Sequence, residues 1–293
     1  MVAKNELSGG FFNCFPEKYG TQQFFRFWDE KKKCCRCGVV FSLTKSGEQT
    51  AFPSTCVYHW DNNSRLEHYK CCGKKVEETP GCKQEYYHVY QHKVFGVEAL
   101  PSPIHGFVST PKSKIGNRGK ASRDVVALDC EMVYTVSGMK LAQVVVVDVK
   151  GLLKYGTYVN PHEKILSYNT EHSGVRKADL EGPGVKRLEQ VQEELCRVIS
   201  DRTIIIGHAL HNDLKVLKLL HNIVIDTKLL YQAHTGIRSL KELALVFLNI
   251  DIRNSPQNGH DCVLDARAAL DLALRFVGER KRASDSKENL KTM

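Results

Sequence analysis

The clearest hydrophobic pattern in the chain is the apolar, β-branched run over residues 125–134 (VVALDCEMVY), which two acidic residues interrupt. A run of this kind predicts a buried strand. Because side chains alternate along a strand, Asp129 and Glu131 share one face and Cys130 points to the other. Two buried carboxylates this close need a metal, a basic partner or a proton to offset their charge. The spacing alone fits equally well a strand end at which both acids are solvated.

The hydrophobic patterns that follow predict strands first and then strands and helices in alternation. Apolar or alternating runs predict strands over residues 141–148, 154–160, 203–206 and 223–226, with a hairpin turn at Lys150-Gly151. Apolar residues at helical spacing predict helices over residues 184–200, 211–221, 238–248 and 264–277. The first three strands then form a meander, and the whole order is typical of an α/β fold with a mixed sheet flanked by helices. We expect this domain to span residues 124–278, followed by a polar basic tail over 279–293.

Cysteine and histidine are dense between residues 34 and 96, and eight of the eleven cysteines lie before residue 83. This uneven distribution argues against a general disulfide framework and predicts local metal binding. A stretch this short and polar needs metal to fold, so we expect a zinc-stabilised module over residues 34–96. The candidate zinc ligands are Cys34, Cys37, Cys56, His59, Cys71, Cys72, Cys82 and His88.

Spacing restricts which of these ligands share an ion, but only in part. Two ligands separated by two residues can be aimed at one tetrahedral ion by a tight turn, which fits Cys34 with Cys37 and Cys56 with His59. Eight ligands suffice for one Zn²⁺ with spares or for two. Cys35 can replace Cys34, and two further candidates are His68 and His92.

The segments on either side of this module lack a regular hydrophobic period. Residues 1–33 are aromatic and basic, and we expect them to pack onto the module. Residues 97–123 carry three prolines, three glycines and six basic side chains, which predicts a basic linker.

Charge divides the chain into two parts. Residues 1–123 carry 19 Lys and Arg against 11 Asp and Glu, whereas residues 124–278 carry 18 against 19. A basic front is typical of proteins that contact nucleic acid, although a solvated basic segment is the plainer alternative. The sequence shows neither a membrane span nor a secretory signal, so we expect no membrane partner and a reducing compartment. Basic runs at residues 31–33 and 280–282 favour the nucleus, with the cytoplasm as the alternative.

Two further acids lie where the predicted strands give way to helices. Asp213 follows the strand that ends at Gly207-His208, and strand-to-helix junctions are where such sheets expose their sites. Asp265 lies in the first turn of the last helix, on the face that must be buried, so it should point inward. The alternative for Asp265 is an acid favoured by the helix dipole, which Asp261 could equally be.

Four acids from separate segments, with His260 shortly before the last, resemble the DEDDh exonucleases of the RNase H-like (DnaQ-like) fold. The residues 128–132 (LDCEM), 207–215 (GHALHNDLK) and 259–266 (GHDCVLDA) resemble the three motifs of the eukaryotic Rex-type RNA exonucleases. The zinc module, with its CCxCG, CxxHW and CC…GC segments, resembles that of the RNA exonuclease 1 and GOR-antigen family and, more loosely, the CHORD domain. The resemblance therefore covers a nuclease domain of about 155 residues and, less tightly, the module before it.

This resemblance implies a hydrolase that removes nucleoside 5′-monophosphates from the 3′ end of RNA. Asp129, Glu131, Asp213 and Asp265 would hold two Mg²⁺ or Mn²⁺ ions, and His260 would act as the general base. Met132 could contact the terminal base, although core packing is the plainer role for it. The implied partner is single-stranded RNA or an RNA 3′ overhang, with a protein partner of the zinc module as a further expectation.

One departure and two alternatives accompany this interpretation. Many relatives carry a serine-rich spacer and an acid before the last Asp, whereas this chain has Asp261-Cys262-Val263-Leu264. The first alternative is an RNA- or protein-binding protein whose exonuclease domain is an inactive scaffold. The second is an exonuclease that acts on single-stranded DNA, because two-metal chemistry does not need the 2′-hydroxyl.

Overall fold

The computed structural model describes residues 31–44, 48–51, 55–60, 68–69, 71–75, 80–90, 106–113, 124–237, 239–252 and 259–291. The predictions for residues 1–30, for His92 and for much of the linker lie outside these ranges. The chain divides into two compact units, residues 1–106 and 107–293. None of the helices within the described ranges is long and apolar enough to cross a bilayer.

The first unit contains two small antiparallel sheets. The first comprises β1 (Lys32–Lys33), β2 (Val40–Leu43) and β3 (Gln49–Ala51), and the second comprises β4 (Cys56–Tyr58) and β5 (Lys83–Glu85). The buried apolar residues among the described part of this unit are few, and they lie among the candidate metal ligands: the ring of Phe41 stacks on that of His88 with centroids 5.6 Å apart. A core this small leaves the unit dependent on additional cross-links for its stability.

The second unit is built on a mixed sheet with helices on both faces. Its strands are β6 (Val108–Ser109), β7 (Val125–Thr135), β8 (Gly138–Asp148), β9 (Leu153–Tyr158), β10 (Ile165–Ser167), β11 (Ile204–Gly207), β12 (Leu219–Leu220) and β13 (Val224–Asp226). Its helices are α1 (Thr170–Ser173), α2 (Leu188–Val198), α3 (His211–Val216), α4 (Thr227–Thr235), α5 (Leu240–Leu243) and α6 (Cys262–Lys291). A 3₁₀ turn spans Lys177–Leu180, and a π-helical turn, Ala244–Leu248, continues α5.

The main sheet has the order β13-β11-β7-β8-β9, and β10 pairs with the end of β7. Strands β13, β11 and β7 are parallel, whereas β8 and β9 continue from β7 as an antiparallel meander. The predicted mixed sheet flanked by helices and the predicted meander are therefore confirmed.

The central strand β7 is buried on both faces, which explains its near-continuous apolar sequence. Val126, Leu128 and Cys130 belong to a core cluster that includes α2. Ala127 belongs to a second cluster, which α6 completes with Cys262, Ala266, Leu270 and Ala273. The face that carries Asp129 and Glu131 is consequently the face covered by α6.

Several predicted boundaries are wrong, and the reasons are tertiary. The predicted helix 211–221 ends at Val216 because Lys218 adopts a positive φ of 48°, after which Leu219–Leu220 form a strand. The predicted helix 264–277 extends from Cys262 to Lys291 and takes in most of the predicted tail; the i,i+4 ion pair of Arg275 and Glu279 lies along it. Helix α4, which the sequence analysis missed, begins where Asp226 accepts a hydrogen bond from the Lys228 amide.

The prediction of a linker is wrong for the segment around β6. This strand pairs in parallel with β12, and the Asp201 amide donates to the carbonyl of Pro111. The imidazole of His221 joins the same region: Nδ1 lies 2.9 Å from the Thr110 hydroxyl and Nε2 lies 2.8 Å from the Thr203 carbonyl. Residues 108–113 therefore belong to the second unit, residues 107–293, which is called the nuclease-like unit below.

This arrangement predicts that mild acid loosens the β6–β12 pair. Burial lowers the pKa of His221 below its ordinary value of 6.5, so the folded state binds fewer protons than the unfolded state just below that pH. The stability contributed by neutral His221 is therefore full above pH 6.5 and falls as the pH drops. Hydrogen exchange of residues 108–113, corrected for its intrinsic pH dependence, should give a smaller opening free energy at pH 5.5 than at pH 7.5.

His221→Gln removes the titrating group and serves as the matched comparison. Its opening free energy should be lower at pH 7.5 and should change less between the two pH values than that of the wild type. An equal pH dependence in both proteins would exclude His221 as the cause.

Candidate active site and metal centres

The two acids of β7 lie close to a thiol that the sequence analysis did not assign to the site. The carboxylate oxygens of Asp129 and Glu131 and the Sγ of Cys262 all lie within 4.8 Å of one another. Glu131 is buried, and Asp129 is partly buried. Cys262 joins them because it is the first residue of α6, the helix that covers this face of the sheet.

The last acid and the histidine approach Glu131 from the same helix end. Asp265 points inward, as predicted, with 4% of its surface exposed. The Nδ1 of His260 lies 3.3 Å from Asp265 Oδ2 and 3.9 Å from Glu131 Oε1. Asp265 Oδ1 is buried and has no hydrogen-bond partner among the described residues. A buried carboxylate oxygen with no donor is costly unless a cation reaches it.

Asp213 completes the set of predicted acids at the start of α3. It is 4% exposed, and burial together with the charge of Asp129 raises its pKa well above the ordinary value. The structure thus brings Asp213 to the side of Asp129, while Asp265 and His260 lie beside Glu131. Buried carboxylates that lie this close repel one another, and a divalent cation stabilises such an arrangement.

The turn that presents Asp213 is held by an acid whose role the sequence analysis missed. Asp226 accepts hydrogen bonds from the amides of Ala209 and Leu210, and Ala209 has a positive φ of 55°. His208 contacts the Thr227 hydroxyl through Nδ1 at 3.0 Å. The signal for this support was the Asp-Thr pair at the end of the predicted strand 223–226.

His260 rests on α1. Its amide donates to the His172 carbonyl at 2.9 Å, and the two imidazole rings meet edge to face with centroids 6.1 Å apart. Gly259 has a φ of +69°, and a Cβ there would lie 2.5 Å from Gly174 Cα and closer still to the Gly174 amide and the Thr170 carbonyl. Backbone contact this close requires glycine before His260.

The remaining predicted residues of this region lie in the core. Cys130 is buried, as predicted; burial and then the charge of Asp213 raise the pKa of its thiol well above the ordinary value. Cys130 faces away from Asp129 and Glu131, whereas Asp213 lies near the Cys130 thiol. Met132 is partly buried and packs against the core cluster that contains Leu128.

The donor set fits hard divalent cations. The carboxylate oxygens of Asp129, Glu131 and Asp265 belong to groups that could hold a metal ion, and oxygen is the ligand that Mg²⁺ and Mn²⁺ prefer. Asp213 lies near Asp129 but belongs to none of these groups among the described residues. The buried Asp265 Oδ1, which has no hydrogen-bond partner there, favours a bound cation. The exonuclease acids can therefore hold divalent metal ions.

In the first unit, the eight predicted zinc ligands fall into two groups of four among the described residues. In each group the ligand atoms lie within 4.8 Å of one another. The first group is Cys34, Cys37, Cys56 and His88, and the second is His59, Cys71, Cys72 and Cys82. Three cysteines and one histidine are a tetrahedral set typical of structural Zn²⁺, so each group could hold one ion.

The second group lies between Cys56 and His88 of the first group along the chain, and this corrects one prediction. Cys56 and His59, which spacing placed on one ion, belong to different groups, because β4 directs Cys56 to one side and His59 lies beyond its end. Cys35 is exposed and belongs to neither group, so it does not replace Cys34. His68 is outside both groups as well.

Comparison with known proteins places this geometry in a family. Residues 126–273, about half of the chain, match the exonuclease family RNase_T. The chain is 36% identical over 257 residues to Exonuclease GOR of Pan troglodytes, covering 84% of this chain and 35% of that protein. It is 34% identical over 280 residues to the RNA exonuclease 1 homolog of Homo sapiens, covering 90% of this chain and 22% of that protein.

A solved structure also resembles the chain. The Pan2 catalytic unit of Neurospora crassa is 25% identical, with a TM-score of 0.49, over 62% of this chain and 31% of that chain.

The matches cover most of this chain but only a minor part of each relative. The chain spans about a third of the length of Exonuclease GOR and about a fifth of that of the RNA exonuclease 1 homolog. The match to RNase_T, however, covers the β7 acids, Asp213, His260 and Asp265 in one continuous stretch. The resemblance of the nuclease domain to the RNA exonuclease 1 and GOR-antigen family is thereby confirmed, the sheet is the RNase H-like sheet expected from it, and the chain belongs to the exonuclease family RNase_T.

Proposed function

We propose that this protein is a DEDDh-type 3′-to-5′ exoribonuclease, which hydrolyses RNA from its 3′ end. The observation that carries the proposal is that Asp129 lies close to Glu131 in one group of ligand atoms, that His260 and Asp265 lie close to Glu131 in a second, and that Asp213 lies near Asp129. Two Mg²⁺ or Mn²⁺ ions bound to these acids would supply a water that is nucleophilic at neutral pH and would neutralise charge on the leaving 3′ oxygen.

The side chains of the pocket assign a role to His260. Its Nδ1 faces the carboxylates of Asp265 and Glu131, which favours the tautomer protonated at that atom. Nε2 is then the atom that accepts the proton of the attacking water. The imidazole is partly exposed, so water and a phosphodiester can reach it.

RNA is the proposed substrate because the two relatives reported above are both named as exonucleases, and one of them is named as an RNA exonuclease. The excess of positive charge before residue 124 agrees with a polyanionic partner. We further propose that the two Cys3His groups hold structural Zn²⁺ and that the first unit positions the RNA or a protein partner. A binding protein with an inactive exonuclease domain would be expected to lack a ligand, whereas this chain retains all four acids and the histidine.

End-labelled RNA tests the reaction and its direction. With Mg²⁺ or Mn²⁺, a 3′ label on single-stranded RNA should be released at once as a mononucleotide, whereas a 5′ label should pass through a ladder of shortening products. A parallel DNA substrate separates the RNA proposal from the DNA alternative. Stable RNA, or release of the 5′ label first, would contradict the proposal.

Two acids in one helical turn provide the variant and its control. Asp265→Asn should slow turnover by about 10²-fold or more, since it removes a charge from the reacting centre. Asp261 is exposed, and its carboxylate accepts from the amides of Val263 and Leu264. Asparagine is an equally good cap, so Asp261→Asn should retain wild-type turnover.

Gly259→Ala tests whether the seat on α1 positions His260. The new Cβ must displace His260 or α1, and a displacement of about 1 Å should lower kcat about 10²-fold with little change in KM or in Mn²⁺ affinity. Gly236 also has a positive φ, of 74°, but nothing lies within 4 Å of its Cβ position. Gly236→Ala therefore carries the same backbone strain without the clash, and an equal loss of kcat in both variants would refute the positioning role.

Metal analysis tests the two Cys3His groups. The purified chain should contain two tightly bound Zn²⁺, and Cys34→Ser should lower this number because a serine hydroxyl replaces a thiolate ligand. Cys35→Ser, at the neighbouring exposed position, should retain both ions. Loss of zinc in Cys35→Ser and not in Cys34→Ser would reverse the assignment.

A further inference from the structure

The acidic pocket contains a soft ligand that the proposed reaction does not use. Cys262 is 2% exposed. Its Sγ and one carboxylate oxygen each of Asp129 and Glu131 all lie within 4.8 Å of one another. The thiol donates a hydrogen bond to the Asp129 carbonyl at 3.2 Å. Helix α6 thus delivers a thiol to the same pair of acids that would hold the divalent ions.

The spacing of these three atoms suits a single small cation. A Zn²⁺ ion bonds to sulfur at about 2.3 Å and to carboxylate oxygen at about 2.0–2.2 Å, which places its ligands roughly 3.5 Å apart. Atoms already within 4.8 Å need only small side-chain rotations to reach that geometry. Thiolate sulfur raises affinity for soft cations, whereas oxygen ligands alone favour Mg²⁺ and Mn²⁺.

A second observation indicates that this pocket demands a cation. Asp265 Oδ1 is buried without a hydrogen-bond partner among the described residues, and Asp265 shares Glu131 with the Cys262 group. The site is therefore occupied by the cation for which its oxygen and sulfur ligands have the highest affinity.

We propose that Cys262 makes the pocket a mixed oxygen–sulfur site, which binds a thiophilic divalent cation such as Zn²⁺ or Cd²⁺ in competition with Mg²⁺ or Mn²⁺. On binding, a metal–sulfur bond forms as the thiol proton leaves to solvent, and no electron is transferred. Such a cation should inhibit turnover, because it occupies carboxylates that the catalytic ions need. The inhibition rests on the proposed exonuclease function, whereas the coordination by Cys262 does not.

Cd²⁺ absorbance tests the coordination directly. The full chain, with its zinc groups filled, is titrated with Cd²⁺ and the thiolate-to-Cd²⁺ charge-transfer band is recorded. Cys262→Ser should lose one step of this band relative to the wild type. Cys196→Ser, which removes a thiol of α2 that belongs to none of the metal-binding groups among the described residues, should keep it. Any exchange of Cd²⁺ into the zinc groups is common to all three proteins and cancels in the difference.

Inhibition of RNA turnover by Zn²⁺ at fixed Mg²⁺ is the second measurement, with each variant compared with its own zinc-free rate. The half-inhibitory concentration should rise at least about tenfold in Cys262→Ser, which corresponds to about 1.4 kcal/mol of binding free energy. If Cys262→Ser does not fold, Cys262→Ala takes its place, since it also removes the sulfur.

The outcomes separate this proposal from the proposed function. An identical Cd²⁺ band in the wild type and Cys262→Ser would overturn the mixed site, whatever the turnover. Absence of RNA turnover with loss of the band in Cys262→Ser would overturn the exonuclease and leave the mixed site standing. An unchanged half-inhibitory concentration with loss of the band would show that zinc binds elsewhere when it inhibits, and would refute the competition.

Discussion

Electrostatic repulsion among buried carboxylates governs the nuclease-like unit. Glu131, Asp213 and Asp265 are buried and Asp129 is partly buried, and burial with the nearby charge of Asp129 raises the pKa of Asp213. A fold that concentrates negative charge in this way loses stability unless a cation is bound. The same concentration of negative charge favours the binding of a divalent cation. The repulsion that destabilises the fold is therefore also what suits the site to metal-dependent chemistry.

The scaffold holds these acids at close range by several independent contacts. Small side chains at Ala266 and Ala273 let α6 pack closely on the face of β7 that carries Asp129 and Glu131. Asp226 fixes the turn before α3, and the His172 carbonyl fixes the backbone of His260. Three elements position the four acids: β7 carries Asp129 and Glu131, α3 carries Asp213 and α6 carries Asp265. The site is therefore preorganised before any ion enters, which is what electrostatic catalysis requires.

The first unit relies on a different interaction. The apolar core formed by its described residues is small, and the ring of His88 is both a part of that core and a candidate ligand. The four ligands of the second group all lie between Cys56 and His88 of the first, so an ion bound to the first group would close a loop that contains the second group. Ligand closure of this kind replaces the hydrophobic burial that a longer domain would supply.

The sequence by itself determined the central strand, the sheet class, the inward orientation of Asp265 and the choice of the eight candidate zinc ligands, because these depend on local periodicity and on residue chemistry. It did not determine where α3 ends, that residues 108–109 form a strand, which ligands share an ion, or that Cys262 lies beside Asp129 and Glu131. Each of these depends on contacts between segments distant in the chain: β12 finds a partner about 110 residues away, and Cys56 is separated from His59 by the direction of β4. Such contacts leave no periodic signal, so only the tertiary structure decided them.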